Sequence, residues 1–207
     1  QVLATLPAHH VLSGWMEVVK HSLIADANLW SQLSHYQNIP RPENQPDLIQ
    51  ASSQIKRTIV KDDLYEGGRR KSLNFGHTVA HALESIGSRQ AVNIPHGLAV
   101  GLGMVFSLNW SAQLAAENSR IELLHAAQVI RGWIEQFPEL NCIRWAASLD
   151  PEEVWKHMKR DKKNRTNEVL EVALMAIGEA HWDTPIIQPS FEDVWRRLFD
   201  ENSSAQN

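Results

Sequence analysis

The sequence has only one cysteine, Cys142, among its 207 residues. A lone cysteine excludes a disulfide within the chain and fits a reducing compartment, so we expect a cytoplasmic protein. No apolar run is long enough to cross a bilayer, which predicts no membrane association. The chain also lacks an excess of positive charge. Because its formal net charge is −4, a nucleic acid partner is not expected.

A dinucleotide-binding fingerprint is missing as well. No Gly-x-Gly-x-x-Gly segment follows a strand-like run, and strand-like and helix-like segments do not alternate as a nucleotide-binding sheet requires. The composition, with 43% hydrophobic and 21% charged residues, is that of an ordinary globular chain. Helical periodicity runs through most of it, so the predicted fold class is mainly α.

Apolar residues recur at helical spacing in several segments, and Ser13 is the predicted N-cap of the first of them. The segment 97–116 is apolar on most faces, which predicts a buried helix. The β-branched run 169–177 predicts a short β element. Helices are predicted over these segments: 13–36, 47–60, 70–86, 97–116, 119–136, 151–160 and 191–199.

Two histidines, His77 and His81, stand four residues apart in the stretch LNFGHTVAHALE, ahead of Glu84. Residues at this spacing project from one face of a helix, and two imidazoles on one face can hold a divalent metal. The alternative is a helix with two ordinary histidines, one of them against the core. The spacing by itself leaves both interpretations open.

Two further residues are candidate ligands. His96 stands between Pro95 and Gly97 just before the predicted buried helix, where a histidine can be either a cap or a ligand. Glu17 precedes Lys20 by three residues, which is typical of a surface ion pair. However, the flanking residues of Glu17 are apolar, and a partly buried carboxylate needs a cation or a metal beside it.

Basic residues cluster around these candidates although the chain is negatively charged overall. They include Lys56, Arg70 and the run KRDKKNR at 159–165. The clustering suggests an anionic ligand, whereas the run at 159–165 taken alone is typical of a solvated loop.

Motif order and spacing add a resemblance that covers the chain from Leu6 to about Ala180. Four strings carry it: TLP…SGWMEVVKH, QIKRTIVKDD…EGGRRKSLNFGHTVAHALE, IPHGLAVGLGM and DKKN…ALMAIGEA. Together they resemble the C-terminal half of the 3-dehydroquinate synthase family. Two positions depart from the family pattern, because Leu98 stands where members often have Glu and Ala80 where they usually have Gly. Neither is a metal ligand in the family, so we expect altered packing rather than loss of the site.

The resemblance implies a role for each candidate. Glu17, His77 and His96 would hold zinc, or another divalent metal such as cobalt, while His81 would assist proton transfer. Three protein ligands leave a coordination position open, as in catalytic zinc sites. The implied substrate-binding residues are Lys20, Lys56, Arg70, Asn74 and one of Lys162 and Lys163. Of these, Lys20 and Asn74 are also expected to act in catalysis.

The activity implied by the resemblance is that of an NAD- and zinc-dependent, phosphate-eliminating lyase of the shikimate pathway. It converts 3-deoxy-arabino-heptulosonate 7-phosphate to 3-dehydroquinate and phosphate. Residues 1–200 would form the helical metal- and substrate-binding domain of the C-terminal half, and 201–207 a polar tail. The N-terminal NAD-binding domain is absent from these residues. We therefore expect the chain alone to be inactive, and the whole protein to be a homodimer.

Three alternatives remain. The first is another sugar-phosphate cyclase, which would make an inosose or a valiolone with the same metal motif. The second is a metal-dependent polyol or alcohol dehydrogenase, although that family lacks the L-N-x-G-H-T string. The third is a helical module without catalysis whose site is vestigial. Measuring bound metal would separate the third from the others.

Overall fold

A computed structural model describes residues 5–160 and 169–199 of the chain. Within these residues, helices dominate and the β structure is a single two-stranded sheet, which confirms the predicted mainly-α class. The α-helices are α1 Ala8–Ala25, α2 Ala27–Ser34, α3 Pro46–Asp62, α4 His77–Arg89, α5 His96–Leu114, α6 Glu117–Glu135, α7 Cys142–Ala147, α8 Pro151–Lys159 and α9 Gln188–Phe199. The strands are β1 Val169–Ala176 and β2 Glu179–Ile186, and short 3-10 helices lie at Pro42–Asn44, Arg69–Asn74 and Pro138–Leu140. None of the described helices combines the length and apolarity needed to cross a bilayer.

Helix α5 forms the centre of the fold. Fifteen of its 19 residues are buried, because α1, α4, α6, α9 and β1 all pack around it. This explains why the sequence of α5 shows no polar face, as predicted for 97–116. Ser111 ties the helix to the sheet, since its hydroxyl accepts a hydrogen bond from the backbone N–H of Leu174 at 2.9 Å. Helix α5 is therefore the scaffold on which the other elements are placed.

The long helix predicted over 13–36 is two helices. The chain is extended at Asp26, with φ −152° and ψ 94°, and the Asp26 carboxylate accepts from the Leu29 N–H at 3.0 Å. An aspartate that caps a following helix in this way interrupts the preceding one. Ser13 is not an N-cap either, because it lies inside α1.

The helix predicted from about Arg70 to Ile86 also begins elsewhere. Residues Arg69–Asn74 form a 3-10 helix, and Gly76 then adopts a left-handed conformation with φ +76°. The α-helix starts only at His77. A left-handed residue cannot continue a right-handed helix, so Gly76 sets the point at which α4 begins.

Strands β1 and β2 form an antiparallel hairpin with Val169 opposite Ile186. The predicted strand over 169–177 is confirmed as β1, while β2 was missed because most of its residues are exposed. The hairpin turn is fastened to α1, since the Gly178 N–H donates to the Leu23 carbonyl at 2.7 Å. Strand β2 also packs against the 3-10 helix that precedes α4.

Candidate metal centre

Side chains from three helices bring donor atoms into one small volume. Glu17 lies in α1, His77 is the first residue of α4 and His96 is the first residue of α5. One ligand atom from each residue can be chosen so that all lie within 4.8 Å of one another. The structure thus gathers the residues for which the resemblance implied a metal role, although they are widely separated in sequence.

Close contact between two backbones sets the position of His77. A Cβ placed on Gly103 of α5 would lie 1.9 Å from the carbonyl oxygen of Gly76, the residue before His77. A Cβ on Gly76 would in turn lie 2.7 Å from the backbone nitrogen of Met104. Only glycines permit this approach. Helix α5 therefore fixes the start of α4.

A second close contact sets α5 against α1. A Cβ placed on Gly97, the residue after His96, would lie 2.3 Å from the Cα of Ser13. Ser13 lies one helical turn before Glu17. The two glycine contacts together join α5 to the start of α4 and to α1, the other two helices that carry candidate ligands.

The carboxylate of Glu17 is paired with a buried lysine. Nζ of Lys20 lies 2.9 and 3.0 Å from the two carboxylate oxygens, and Lys20 is only 3% exposed. Burial raises the pKa of Glu17, but the charge of Lys20 and its hydrogen bonds outweigh burial, so the pKa lies below its ordinary value. Glu17 is therefore an ionised ligand at neutral pH.

His77 is held in its neutral form. Burial, followed by the charge of Lys20, lowers the pKa of its imidazole to about 3. A metal binds neutral imidazole and ionised carboxylate, so Glu17 and His77 are both in the protonation state that binding needs.

The hydrogen bonds of the two rings decide which nitrogens face the cluster. Nδ1 of His77 lies 3.2 Å from the carbonyl oxygen of Phe75, and Nδ1 of His96 lies 2.8 Å from Oε1 of Glu84. Both partners are acceptors, so each Nδ1 carries the proton. Nε2 of each ring is then the nitrogen with a free electron pair for a metal.

These residues fit zinc. The donor set of one carboxylate and two imidazoles is that of known catalytic zinc sites, in which a fourth position stays open. Donor atoms about 2.0–2.2 Å from a tetrahedral zinc lie about 3.3 Å from one another. The candidate donor atoms lie within 4.8 Å of one another, so shifts of roughly 1.5 Å or less would bring them to that separation. Imidazole ligands make magnesium or calcium a poor match.

Some of the residues predicted to bind substrate or to act in catalysis border this cluster. Lys20 is bonded to Glu17, and the ring centroid of His81 is 5.7 Å from that of His77. Arg70 and Asn74 lie in the 3-10 helix that leads into His77. Their side chains bond to the loop before that helix, since Arg70 donates to the Leu64 carbonyl and Asn74 donates to the Glu66 carboxylate, both at 2.8 Å.

Lys56 is exposed on α3. It lies one turn after Ser52, whose hydroxyl is 2.7 Å from Nδ1 of the buried His21 in α1. Burial, followed by the charge of Lys20, lowers the pKa of His21 to about 4, and the charge of Lys56 adds a smaller effect in the same direction. Lys56 is thus within electrostatic range of the helix that carries Glu17 and Lys20. Lys162 and Lys163 lie outside the described residues.

Asp63 organises the segment that carries Arg70 and Asn74. Its carboxylate accepts from the backbone N–H groups of Gly67, Gly68 and Arg70 at 3.0, 2.8 and 3.0 Å. These bonds, with that of Gly68 the strongest, lower the pKa of Asp63. Asp63 was not among the predicted site residues, although an aspartate ahead of a Gly-Gly turn is a recognisable signal.

Two other supporting contacts were also missed. Lys71 pairs with Asp183 of β2 at 2.5 Å, which joins the 3-10 helix to the hairpin. Glu84 bonds to His96, although Glu84 stands in the same motif as His77 and His81. Residue spacing did not predict either contact, because each joins residues in two different secondary-structure elements.

A cavity of about 570 Å³ lies elsewhere in the described chain, between α6, α7 and α9. Arg131, Cys142 and Phe199 are among its lining residues, and none of the cluster residues is. This cavity is therefore separate from the candidate metal centre.

The fold is that of a helical domain, and the cluster of Glu17, His77 and His96 is a candidate site for a metal ion with three protein ligands. Residues 14–164 match the family described as 3-dehydroquinate synthase C-terminal. The chain belongs to this family of 3-dehydroquinate synthase C-terminal domains.

Curated relatives agree with this assignment. The chain is 36% identical over 182 residues to a 3-dehydroquinate synthase of Chlorobium luteolum, covering 86% of this chain and 49% of the relative. It is 34% identical over 191 residues to a 3-dehydroquinate synthase of Shouchella clausii, covering 89% of this chain and 49% of the relative. The chain thus spans about half the length of the curated relatives that it matches.

Solved structures share the fold at low identity. A 2-epi-5-epi-valiolone synthase from Streptomyces hygroscopicus, with NAD⁺ and Zn²⁺ bound, matches with a TM-score of 0.71 at 20% identity, over 96% of this chain and 53% of that one. A 2-deoxy-scyllo-inosose synthase complexed with carbaglucose-6-phosphate, NAD⁺ and Co²⁺ matches with a TM-score of 0.70 at 19% identity, over 94% and 53%. At such identities the likeness concerns the fold alone.

Proposed function

We propose that the chain is the metal- and substrate-binding half of a 3-dehydroquinate synthase. The whole protein would convert 3-deoxy-arabino-heptulosonate 7-phosphate to 3-dehydroquinate and phosphate. The observation that carries the proposal is the convergence of Glu17, His77 and His96 beside a buried Lys20, within a chain of this family. A module with a vestigial site would have no reason to keep a buried cation on a candidate metal ligand.

Two cofactors complete the proposed site. Glu17, His77 and His96 would hold zinc, which would supply a Lewis acid next to a substrate hydroxyl and a carbonyl. NAD supplies the hydride acceptor and is bound mainly by the N-terminal half of the whole protein. The relatives' names and the NAD⁺ and metal in the solved cyclases support these assignments.

The residues of this chain bind and orient an anionic substrate in the proposed function. Lys20 holds a positive charge at the cluster in a fixed position, because both oxygens of Glu17 accept from its ammonium group. Fixed charges that need no rearrangement stabilise developing negative charge most effectively. His81 has its ring beside that of His77 and is suited to moving a proton there.

Arg70 and Asn74 belong to the segment that Asp63 organises. In the proposed function they leave their bonds to Leu64 and Glu66 and bind the carboxylate, hydroxyl or phosphate groups of the substrate. A guanidinium is well suited to bidentate binding of carboxylate and phosphate. Lys56 would add charge from α3.

A 3-dehydroquinate synthase is favoured over an inosose or valiolone synthase on identity. The curated relatives at 34% and 36% identity carry the former name, whereas the cyclases of other products match at 19% and 20%. An inosose or valiolone synthase remains the alternative function, since the solved enzymes of those kinds share the fold.

The test is an assay of phosphate release by a full-length protein that contains this chain. It is supplied with the heptulosonate phosphate, NAD and zinc. We expect turnover that His77→Ala abolishes. His125→Ala, which alters an exposed histidine of α6, is the matched control and should retain activity.

Three results would separate the readings. Phosphate release only from hexose or heptulose phosphates that give inososes or valiolones would favour the alternative cyclase. No metal binding and no release from any substrate would favour the vestigial module. Phosphate release by the 207-residue chain alone would contradict the need for an NAD-binding half.

A further inference from the structure

The ligand His96 is the most exposed member of the cluster. Its side chain is 54% exposed, whereas the side chain of Glu17 is 31% exposed and tied to Lys20. An exposed side chain at the start of a helix keeps several rotamers, and fixing it on metal binding costs conformational entropy. Something else has to orient the His96 ring if the site is to bind metal tightly.

Glu84 is placed to do so. It lies in α4, seven residues after His77, and its Oε1 is 2.8 Å from Nδ1 of His96 at the start of α5. The Glu84 side chain is 30% exposed, so its own position is partly fixed by packing. The hydrogen bond crosses between the two helices that carry the histidine ligands.

The direction of this bond sets the chemistry of the ring. A carboxylate accepts, so the proton sits on Nδ1 of His96 and Nε2 keeps its electron pair. The carbonyl of Phe75 does the same for His77 at 3.2 Å. The Glu84 bond is shorter and involves a charged acceptor, which makes it the stronger of the two and makes the imidazole a better donor to a metal.

We propose that Glu84 is a positioning residue for the metal site, acting through its hydrogen bond to His96 rather than by ligating the ion. This inference rests on the proposed metal-binding function. Loss of such an outer hydrogen-bond partner lowers metal affinity by about 10- to 100-fold in comparable sites.

The experiment measures Zn²⁺ affinity of the 207-residue chain by competition with a chromophoric chelator. Glu84→Ala should weaken binding by about 10- to 100-fold. Glu84→Gln should lose less, because its amide oxygen still accepts from Nδ1 of His96. Glu152→Ala removes an exposed glutamate that pairs with Lys156 on α8, and this matched control should bind zinc as the wild type does.

A second measurement separates orientation from simple stabilisation of the fold. The visible spectrum of the Co²⁺-loaded chain reports ligand geometry directly. At saturating Co²⁺, we expect Glu84→Gln to shift the absorption bands of the wild type, whereas Glu152→Ala should leave them unchanged. Glu84→Gln also keeps the test valid if Glu84→Ala does not fold.

Each contrary outcome has a distinct meaning. Wild-type zinc affinity in Glu84→Ala, with binding abolished in His77→Ala, would overturn the role of Glu84 and leave the metal site intact. Equal losses in Glu84→Gln and Glu84→Ala would overturn the hydrogen-bond account. Wild-type affinity in His77→Ala would remove the metal site itself, and the inference about Glu84 with it.

Discussion

Gly103→Ala would place a methyl carbon 1.9 Å from the carbonyl oxygen of Gly76 and 2.8 Å from its carbonyl carbon. An ordinary contact begins near 3.4 Å, so the two backbones must separate by about 1.5 Å. Neither atom belongs to a side chain that can rotate away. The displaced residue immediately precedes His77, and the shift is therefore passed directly to a candidate ligand.

Two magnitudes follow from this separation. Overpacking of a buried contact costs roughly 1–3 kcal/mol in unfolding free energy. A binding constellation tolerates displacements of only about 0.5 Å, so the zinc affinity should fall at least about tenfold, or about 1.4 kcal/mol. Urea unfolding of the zinc-free chain measures the first quantity, and chelator competition measures the second.

Gly132→Ala is the matched control. Gly132 lies within α6, and a Cβ placed there meets no heavy atom within 4 Å. Removing a glycine from a helix interior stabilises it by about 0.5–1 kcal/mol. If both variants were stabilised and both bound zinc normally, the close approach of α5 to Gly76 would be refuted. If Gly103→Ala lost stability but kept its zinc affinity, the link from this contact to the site would be wrong.

Three further predictions concern the supports around the site. His21→Phe removes a buried imidazole whose pKa burial lowers from 6.5 to about 4. As pH falls, the imidazole is protonated in the unfolded chain before it is protonated in the folded one, which destabilises the fold. Between about pH 7 and about pH 4.5, urea titrations of the zinc-free proteins should show wild type losing about 2 kcal/mol more unfolding free energy than the variant. Equal losses would contradict the prediction. Asp63→Ala removes the acceptor of three backbone N–H groups. Hydrogen exchange at Gly67 and Gly68 should speed up while α6 stays protected, and unchanged exchange would show that the carboxylate does not hold the segment. Asp183→Ala removes an ion pair and puts alanine at φ +56°, which together should cost about 1–2 kcal/mol in chemical unfolding. Asparagine tolerates a positive φ, so Asp183→Asn should lose less unfolding free energy than Asp183→Ala. Equal losses in the two variants would show that the ion pair accounts for the effect.

The elements that were predicted correctly from the sequence include those buried along most of their length, because burial leaves a continuous apolar pattern. Helix α5 is apolar on nearly every face because it is packed on nearly every side, and its bounds were predicted to within two residues. Strand β1 was predicted for the same reason, since most of its residues are buried. His77, His96 and Glu17 were each candidates from their sequence context, but their combination into one ligand set came from the motif resemblance, whereas spacing had paired His77 with His81.

Other elements and contacts were not predictable in this way, because apolar periodicity records neither a local capping bond nor a contact between residues distant in sequence. Helical periodicity continues across Asp26, and only the capping bond to Leu29 shows that the helix is interrupted there. The exposed strand β2 has no apolar alternation, because it is held by pairing with β1. The bond between Glu84 and His96 required knowing that α4 and α5 start side by side.

The buried ion pair between Lys20 and Glu17 has a consequence for the order in which ligands bind. Lys20 brings one positive charge into the site, and Glu17 balances it. With a divalent metal added and the histidines neutral, these groups would carry a formal charge of about +2, at a site that water reaches from the side of His96. In the proposed function, this positive charge would favour binding of an anionic substrate beside the metal. Thermodynamic reciprocity then requires that the anion tighten the metal by the same factor by which the metal tightens the anion. If the proposed function is right, metal and anionic substrate would each raise the affinity of the site for the other, and the charge of Lys20 would contribute to that coupling.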